Sequence, residues 1–198
     1  MDERVDICDL IKNNETILSQ MKPDKFCYCF LPSLRMLPIA IIWGCFDIVF
    51  IVSFLQVASG PMLLLLIAFF AIHLYPCYSV FTSYIRRRIE WENVQYAVTD
   101  HRVIQVGGAL GVEVRSIDHH EIDHVNITMG LIEKLKHVGS IHITSDSGKI
   151  DFISINEPVK VYKMLTRTSF DVKSDIEYPN ALRPGNNPGY QTKYDDNE

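Results

Sequence analysis

An apolar stretch between Met36 and Arg88 constrains this chain more than any other feature of its sequence. It holds two long segments, residues 36–57 and 61–81, joined by the short link Ala58-Ser59-Gly60-Pro61. A helix that rises about 1.5 Å per residue needs about 20 residues to cross a hydrocarbon layer of about 30 Å. Both segments reach that length, and the link has the residues of a tight turn. We therefore predict a two-span transmembrane helical hairpin over residues 36–85.

Asp47 lies in the first segment and His73 in the second, as polar residues within the predicted membrane interior. A central carboxylate opposes insertion by about 2.5–3.5 kcal/mol, whereas each Leu, Ile, Phe or Val favours it by about 0.3–0.6 kcal/mol. The many such residues in the segment outweigh Asp47. Two interpretations stay open: a neutral or hydrogen-bonded carboxyl that faces the partner helix, or a polar path through an oligomer.

Basic residues flank both ends of the predicted hairpin. Three of them, Arg86, Arg87 and Arg88, directly follow the second segment, and three others precede the first: Lys22, Lys25 and Arg35. The positive-inside rule then places both termini in the cytoplasm and the protein in the plasma membrane. The arginine collar (residues 86–88) is also a candidate for contact with anionic lipid, where each charge contributes about 1 kcal/mol. We expect no cleavable signal peptide, because the first apolar run begins far from the N-terminus.

Charge and cysteine content restrict the possible functions. The formal net charge is −5, and the collar is the only basic run. Since a nucleic-acid-binding surface must neutralise phosphates, we expect no nucleic-acid partner. The sequence has 5 cysteines, none of them after the collar. The soluble part therefore has no disulfide framework, as is typical of a protein domain in a reducing cytoplasm.

After the collar the apolar residues alternate with polar ones, which predicts β-strands. Glycines at 107, 108 and 111 and the run Ser145-Asp146-Ser147-Gly148 indicate hairpin turns. Asn156, a candidate N-cap, then opens an amphipathic helix. Roughly six or seven short strands and one helix predict a partly open antiparallel barrel, capped by a C-terminal helix, over residues 86–170.

The two ends of the chain have less regular patterns. Residues 1–35 form a cytoplasmic or interfacial lead, for which an irregular apolar face predicts a short helix within residues 1–20. This lead lies either along the bilayer or back against the soluble domain. Residues 171–198 are acidic and rich in Pro, Gly and Asn, which predicts a disordered tail.

Several motifs after the collar share an order that is typical of one family. They are Tyr96-x-Val98-Thr99-Asp100-x-Arg102-Val103-Ile104, Gly107-Gly108, Ser116-Ile117, Ile122-Asp123-x-Val125, Val138-Gly139-x-Ile141-x-Ile143 and Asn156-x-Pro158-x-x-Val161. With two preceding spans, residues 91–165 resemble the bacterial membrane-flanked pleckstrin-homology-like (PH-like) domain family. The resemblance implies a mainly β, α+β PH-like fold, which in other proteins hosts lipid binding, peptide binding and assembly.

PH domains that bind phosphoinositides use basic residues around the first hairpin, and the resemblance therefore suggests Arg102 and Arg115 as a possible ligand surface. Asp100 and Glu113 accompany these arginines and oppose the binding of anionic headgroups.

Other polar clusters predict no chemistry. The run Asp118-His119-His120-Glu121-Ile122-Asp123-His124 contains metal-ligand residue types, but alternate strand residues point to opposite faces, so a solvated polar surface is the better interpretation. The sequence has no nucleophile elbow, phosphate loop or zinc-protease motif. We predict no catalytic, cofactor-binding or metal-binding residues, no cofactor and no enzymatic activity.

These observations predict a non-enzymatic membrane protein whose cytoplasmic PH-like domain binds a protein partner or forms a homo-oligomer. Exposed sheet edges would accept a strand from that partner. One alternative is a small transport or envelope-stress component that uses Asp47 and His73 in an oligomer. Another is the sensing of anionic lipid through the arginine collar.

Overall fold

The structure, a computed structural model, describes residues 7–12, 15–56, 60–109 and 111–177. These residues belong to two compact units. The helical unit is Lys25–Trp91, and the sheet unit is made from residues 1–24 and 92–198 together. The sheet unit is therefore assembled from chain on both sides of the helical unit.

The described residues of the helical unit form one π-helix and four α-helices. The π-helix is Phe26–Phe30, and the α-helices are α1 Leu31–Leu34, α2 Leu37–Leu55, α3 Pro61–His73 and α4 Tyr75–Asn93, whose last two residues belong to the sheet unit. Among the helices that the structure describes, α2 alone is by itself apolar and long enough to cross a membrane, over Leu37–Phe54. Helices α3 and α4 meet the same criteria only together, as a pair bent by 49°.

The bend at Leu74 divides the second apolar segment, for which the sequence predicts one continuous span. Pro76 lies just after the break. Its ring carries no N–H and crowds the carbonyl of Ile72 four residues earlier, so a straight helix cannot pass through this point. The helix then resumes and continues through the arginine collar to Asn93. Alternation from Glu90 onward predicts a strand directly after the collar, but that start is wrong, since the first strand after the collar begins at Gln95.

The sheet unit contains two antiparallel sheets. The first has the order β1-β2-β3-β4, with β1 Ile17–Met21, β2 Gln95–Thr99, β3 Arg102–Gly107 and β4 Glu113–Asp118. The second has the order β5-β6-β7, with β5 Ile122–Thr128, β6 Val138–Ser145 and β7 Gly148–Asn156. Short 3-10 helices at Ile7–Leu10 and His119–Glu121, and the α-helices α5 Leu131–Leu135 and α6 Pro158–Glu177, complete the unit. The predicted combination of helix and antiparallel sheet is confirmed.

Strand β1 precedes the helical unit, whereas its partner β2 follows that unit. The two strands are antiparallel, with Gln20 opposite Ala97 and Met21 opposite Tyr96. The short helix predicted within residues 1–20 therefore corresponds only to the 3-10 helix Ile7–Leu10, since residues 17–21 form a strand. Local propensity is a weak determinant where an adjacent strand offers a full ladder of hydrogen bonds.

The core of the sheet unit lies between its strands and α6. Tyr96 and Phe152 are fully buried and stack with ring centroids 4.8 Å apart. The Tyr96 hydroxyl accepts a hydrogen bond from the Ile153 N–H at 3.1 Å, so the buried phenol is satisfied. Helix α6 contributes a buried stripe of Val161, Leu165, Thr168 and Val172, spaced as one helical face requires.

The predicted boundary between the soluble domain and the tail lies elsewhere in the structure. Helix α6 continues to Glu177, beyond the boundary predicted at residue 170. From residue 178 onward, the predicted disordered tail lies outside the described residues.

Candidate functional site

Asp47 on α2 and His73 at the end of α3 lie close together, although they are far apart in the sequence. His73 Nδ1 is 2.7 Å from Asp47 Oδ1, and the Asp47 side chain is fully buried. Asp47 Oδ2 is also buried and has no hydrogen-bond partner within the described part of the chain. The two polar residues that the sequence singles out in the apolar segments therefore form one pair.

Aromatic side chains surround the imidazole of this pair. The rings of Trp43 and Phe69 stack on His73 at centroid distances of 5.2 and 5.0 Å. Trp43 Nε1–H also donates to the His73 carbonyl oxygen at 3.1 Å, which connects α2 to the C-terminal end of α3. A histidine and a carboxylate in this arrangement can fasten two helices together, or they can exchange a proton.

The arginine collar lies in α4, where successive residues point about 100° apart around the helix. The three guanidinium groups are consequently not one patch. Arg87 lies over the Tyr28 ring at 5.7 Å and Arg88 over the Trp91 ring at 6.0 Å, whereas Arg86 is exposed. Lys25 lies over Trp91 as well, at 5.1 Å. Cation–π contacts thus fix two of the three arginines to aromatic side chains of the helical unit.

Arg102 and Arg115, the two arginines predicted for the first hairpin, occupy separate positions. Arg102 lies opposite Asp118 and Arg115 opposite Gln105, so about 10 Å of strand separates them. The Arg115 Nη2 is 2.6 Å from Glu113 Oε1, and both of these side chains are more than half exposed. The structure therefore does not bring the two arginines together around one anion.

Arg102 forms a two-point salt bridge with Glu15, a residue from before the helical unit. Its Nε donates to Glu15 Oε1 at 2.9 Å and its Nη2 to Oε2 at 3.0 Å. The Thr99 hydroxyl donates to Glu15 Oε1 at 2.7 Å. Burial alone would raise the pKa of Glu15, but the hydrogen bonds from Arg102 and Thr99 lower it, and the net pKa lies below the usual glutamate value.

The turn between β2 and β3 carries a second contact to the N-terminal segment. Asp100 accepts hydrogen bonds from the backbone N–H of Thr16 at 2.9 Å and from its hydroxyl at 2.6 Å. This contact of Asp100 was not predicted from the sequence. The signal was there, because Thr and Asp in a turn usually bind nearby backbone groups, but the partner residue lies on the far side of the apolar stretch.

The predicted polar run at residues 118–124 is divided by the fold. His119 is fully buried, and its Nε2 donates to the Thr99 carbonyl oxygen at 2.8 Å. Burial lowers the pKa of His119 below the usual histidine value. In contrast, Asp118, His120 and Glu121 form an exposed group whose possible ligand atoms lie within 4.8 Å of one another. Exposed acidic groups of this kind are common without an ion.

A further feature, which the sequence analysis did not identify, is an exposed apolar turn between β5 and β6. We call residues 129–136 the leucine turn. Leu131 and Leu135 are 87% and 83% exposed and lie one helical turn apart on α5. Met129 and Ile132 are also exposed. The pattern Leu131-Ile132-x-x-Leu135 in so short a connection was the available signal.

Strand β4 is an edge of the first sheet, since β3 is its one neighbour in the strand order. Residues from Glu113 to Ser116 are all exposed, whereas Ile117 is buried. Because alternate residues point to opposite faces, both faces of this part of the strand are open. Val112 and Val114 are 47% and 45% exposed there. This half of β4 has the features of a strand-accepting edge.

Comparison with known proteins gives one match. A family model described as "Bacterial PH domain" matches residues 34–168, which include the apolar helices and the sheet unit from β2 to most of α6. No curated protein and no solved structure matches this sequence.

Proposed function

We propose that this chain, which belongs to the bacterial PH domain family, is a non-enzymatic integral membrane protein that binds a protein partner or a second copy of itself. In this proposal α2 and the bent α3–α4 pair form a transmembrane hairpin, and the sheet unit is a PH-like domain in the cytoplasm. The two sheets and α6 would form the partly open barrel and its helical cap.

The observation that carries the proposal is the pairing of Met21 with Tyr96 across the helical unit. Residues paired in an antiparallel ladder have Cα atoms about 5 Å apart. A single crossing would place the two ends of the helical unit on opposite sides of a hydrocarbon layer of about 30 Å. The ladder therefore supports an even number of crossings, with the N-terminal strand and the rest of the sheet on one side of the membrane.

The basic residues at the two ends of the helical unit support a cytoplasmic location for that side. Lys25 and Arg88 both lie against the Trp91 ring. Aromatic and basic side chains in contact are typical of the membrane interface, where the ring remains in the headgroup region and the charge reaches water. This arrangement favours an anchoring role for the collar over the sensing of lipid.

We place the protein-binding surface at the exposed half of β4. Its backbone edge can extend the first sheet by one strand, and Val112 and Val114 offer apolar contacts on one face. Burial and hydrogen bonding shift the pKa of Glu15 and of His119, and the Glu15 carboxylate and His119 Nε2 both form structural hydrogen bonds. This supports a binding role and not a catalytic one.

Cross-linking and mass spectrometry on the full-length protein, solubilised from its native membrane, tests this proposal. We expect the wild type to yield a discrete protein partner or a homo-oligomer with cross-links near β4. Val114→Lys places a charge on the edge and should remove those cross-links, because lysine on an edge strand opposes strand addition. Val159→Lys is the matched control, since Val159 is 46% exposed on α6. A wild type recovered only as a monomer would overturn the proposal.

The contact between Asp47 and His73 favours a second candidate function, a small transport component with a polar path. A proton path needs a group that can accept and release a proton inside the bilayer, and this pair has that chemistry. Proton flux into proteoliposomes that contain the full-length protein tests this candidate, with Asp47→Asn as the variant. Flux that is absent, or equal in the variant and the wild type, would leave the pair as a contact between helices.

A further inference from the structure

We propose that the leucine turn is a lipid-binding site, at which Leu131 and Leu135 insert into the interfacial layer of an anionic bilayer beside Lys134. The site lies within the sheet unit and differs from the arginine collar and from the β4 edge. The inference rests on the membrane anchoring proposed above.

The exposure of the two leucines is the first argument. Leu131 and Leu135 are more exposed than any other large apolar side chain in the described residues, including those of α2 to α4, whose most exposed member is Ile72 at 76%. Residues four apart on a helix share one face, so the two leucines project together. A water-exposed pair of leucines at the tip of a turn costs free energy unless another apolar phase covers it.

The charges of the turn are the second argument. Glu133 is directed back into the fold, where its Oε2 accepts a hydrogen bond from the Gly130 N–H at 2.7 Å and its Oε1 one from the Ser154 hydroxyl at 3.4 Å. Lys134 is exposed beside the leucines. The acidic residue of the turn is thus turned away and a basic one is presented, which complements the negative surface of a cytoplasmic leaflet.

Hydrogen bonds connect the leucine turn to the chain segment that leads to the helical unit. Lys136 Nζ donates to Asp24 Oδ1 at 3.1 Å, and the Asp24 N–H donates to the Ser154 carbonyl oxygen at 2.7 Å. Asp24 is the last residue of the sheet unit before Lys25 begins the helical unit. The segment from Lys25 to Leu37 is largely helical, and at about 1.5 Å per residue it spans only about 20 Å. The chain that connects Asp24, a contact of the turn, to the start of α2 is therefore short.

The size of the apolar tip favours lipid over a protein as its occupant. A stable protein interface buries about 800 Å² on each partner, and the turn presents only four exposed apolar side chains. Insertion of a few side chains into the interfacial layer requires no matching surface, and it gains in proportion to the apolar area covered. The turn therefore fits a membrane surface better than a protein interface.

Photocross-linking of the full-length protein in nanodiscs that contain phosphatidylglycerol tests the inference. A photoreactive benzophenone amino acid is placed at position 135, which is exposed enough to leave the fold intact. Mass spectrometry then identifies the adducts. We expect lipid adducts at position 135. The same amino acid at position 170, where Phe170 is 68% exposed on α6, is the matched control and should give fewer.

A charge variant makes the test specific to the proposed site. With the probe at 135, Lys134→Glu should lower the lipid adducts about fivefold or more in anionic nanodiscs, since one basic residue near such a surface contributes about 1 kcal/mol. In nanodiscs of phosphatidylcholine alone it should change little. Equal yields at 135 and 170, or an unchanged yield in the variant, would overturn the inference.

A probe at position 48, in α2, separates the failure of this inference from the failure of the proposed anchoring. Lipid adducts at 48 without adducts at 135 would leave the hairpin in place and overturn the lipid role of the leucine turn. Adducts from 135 to a second copy of the chain would overturn it in favour of a protein contact. An absence of lipid adducts at both positions would overturn the anchoring itself.

Discussion

Glu15 and Arg102 form a two-point salt bridge, with Nε–Oε1 and Nη2–Oε2 distances of 2.9 and 3.0 Å. In the sequence, Glu15 precedes the helical unit and Arg102 follows it. Arg102 Nη2 also donates to the Leu10 carbonyl oxygen at 3.1 Å. The N-terminal segment is consequently part of the sheet unit, and the apolar helices are an insertion between two adjacent strands of one sheet. Any change that loosens the N-terminal segment should weaken the whole sheet.

Glu15→Gln should lower the free energy of unfolding by about 1–3 kcal/mol, because Arg102 then loses a charged acceptor in a partly buried site. Urea unfolding of the detergent-solubilised protein measures the loss. Glu113→Gln is the matched control, since the Glu113–Arg115 pair is more than half exposed and such pairs contribute about 0–1 kcal/mol. Equal losses in the two variants would contradict the structural role of Glu15.

The carboxyl group of Glu15 should also make the protein less stable at acidic pH. The pKa of Glu15 is lower in the folded protein than its usual value of about 4.3. A carboxyl whose pKa is lowered by folding stabilises the folded protein fully when the pH is above its pKa in the unfolded chain. This stabilisation is lost as the pH falls through its pKa in the folded protein. Urea unfolding measured from pH 6 down to about pH 3 should therefore show a steeper loss in the wild type than in Glu15→Gln. Parallel curves would exclude this contribution.

Ile7→Ala tests the packing of the N-terminal segment. Ile7 is fully buried in a cluster with Ala97, Ile104 and Val106, so its truncation should cost about 2–4 kcal/mol through lost transfer energy and a cavity. Ile17→Ala removes the same atoms at a site that is 37% exposed and should cost less than about 1 kcal/mol. Thermal unfolding of the two variants gives the comparison, and similar midpoints would argue against a buried Ile7.

His119 should make stability depend on pH near neutrality. Its pKa is lowered by burial, so the folded protein holds it neutral while the unfolded chain takes up a proton below about pH 6.5. The free energy of unfolding is then unaffected by His119 above that pH. At lower pH it decreases by at most about 1.4 kcal/mol per pH unit. Denaturant unfolding between about pH 5 and 7.5 should show this slope in the wild type and a smaller one in His119→Gln. A slope unchanged by the substitution would assign the effect to another group.

Gly108→Ala should destabilise the β3–β4 hairpin. Gly108 has φ +135°, and an added Cβ would collide with the Gly111 carbonyl group. A substitution in such a backbone conformation costs about 1–3 kcal/mol. Gly111→Ala is the control, because a Cβ there meets nothing within 4 Å, and it should change stability by less than about 1 kcal/mol. Amide hydrogen exchange at β4 reports both effects, and equal protection in the two variants would contradict the turn geometry.

Sequence periodicity identified most elements whose formation depends on nearby residues. Alternation predicted the strands around β3, β6 and β7, and glycines marked the turns between them. The long apolar run predicted α2. Alternation misplaced the start of β2, because the helix that carries the arginine collar continues to Asn93. A helix stabilises itself through contacts three and four residues apart, so it can extend into a segment whose alternation suits a strand.

The candidate sites divide in the same way. Residue type alone singled out Asp47, His73 and the collar, since charge in an apolar run is conspicuous. The tertiary structure decided that Asp47 contacts His73 and that Glu15 forms a salt bridge with Arg102. It also decided that Arg87 and Arg88 lie over aromatic rings. Except for Arg88 and Trp91, which are three residues apart on α4, these partners are distant in the sequence, and no local pattern specifies which pairs will meet.

The sequence by itself determined the apolar helices and the alternating strands, because 3.6-residue and two-residue periods are properties of consecutive side chains. Only the tertiary structure decided that β1, from before the apolar helices, pairs with β2 after them. A strand has no hydrogen bonds within itself, so a short segment such as Ile17–Met21 becomes a strand only where a partner edge is present. Here the fold of the distant sheet supplies that edge.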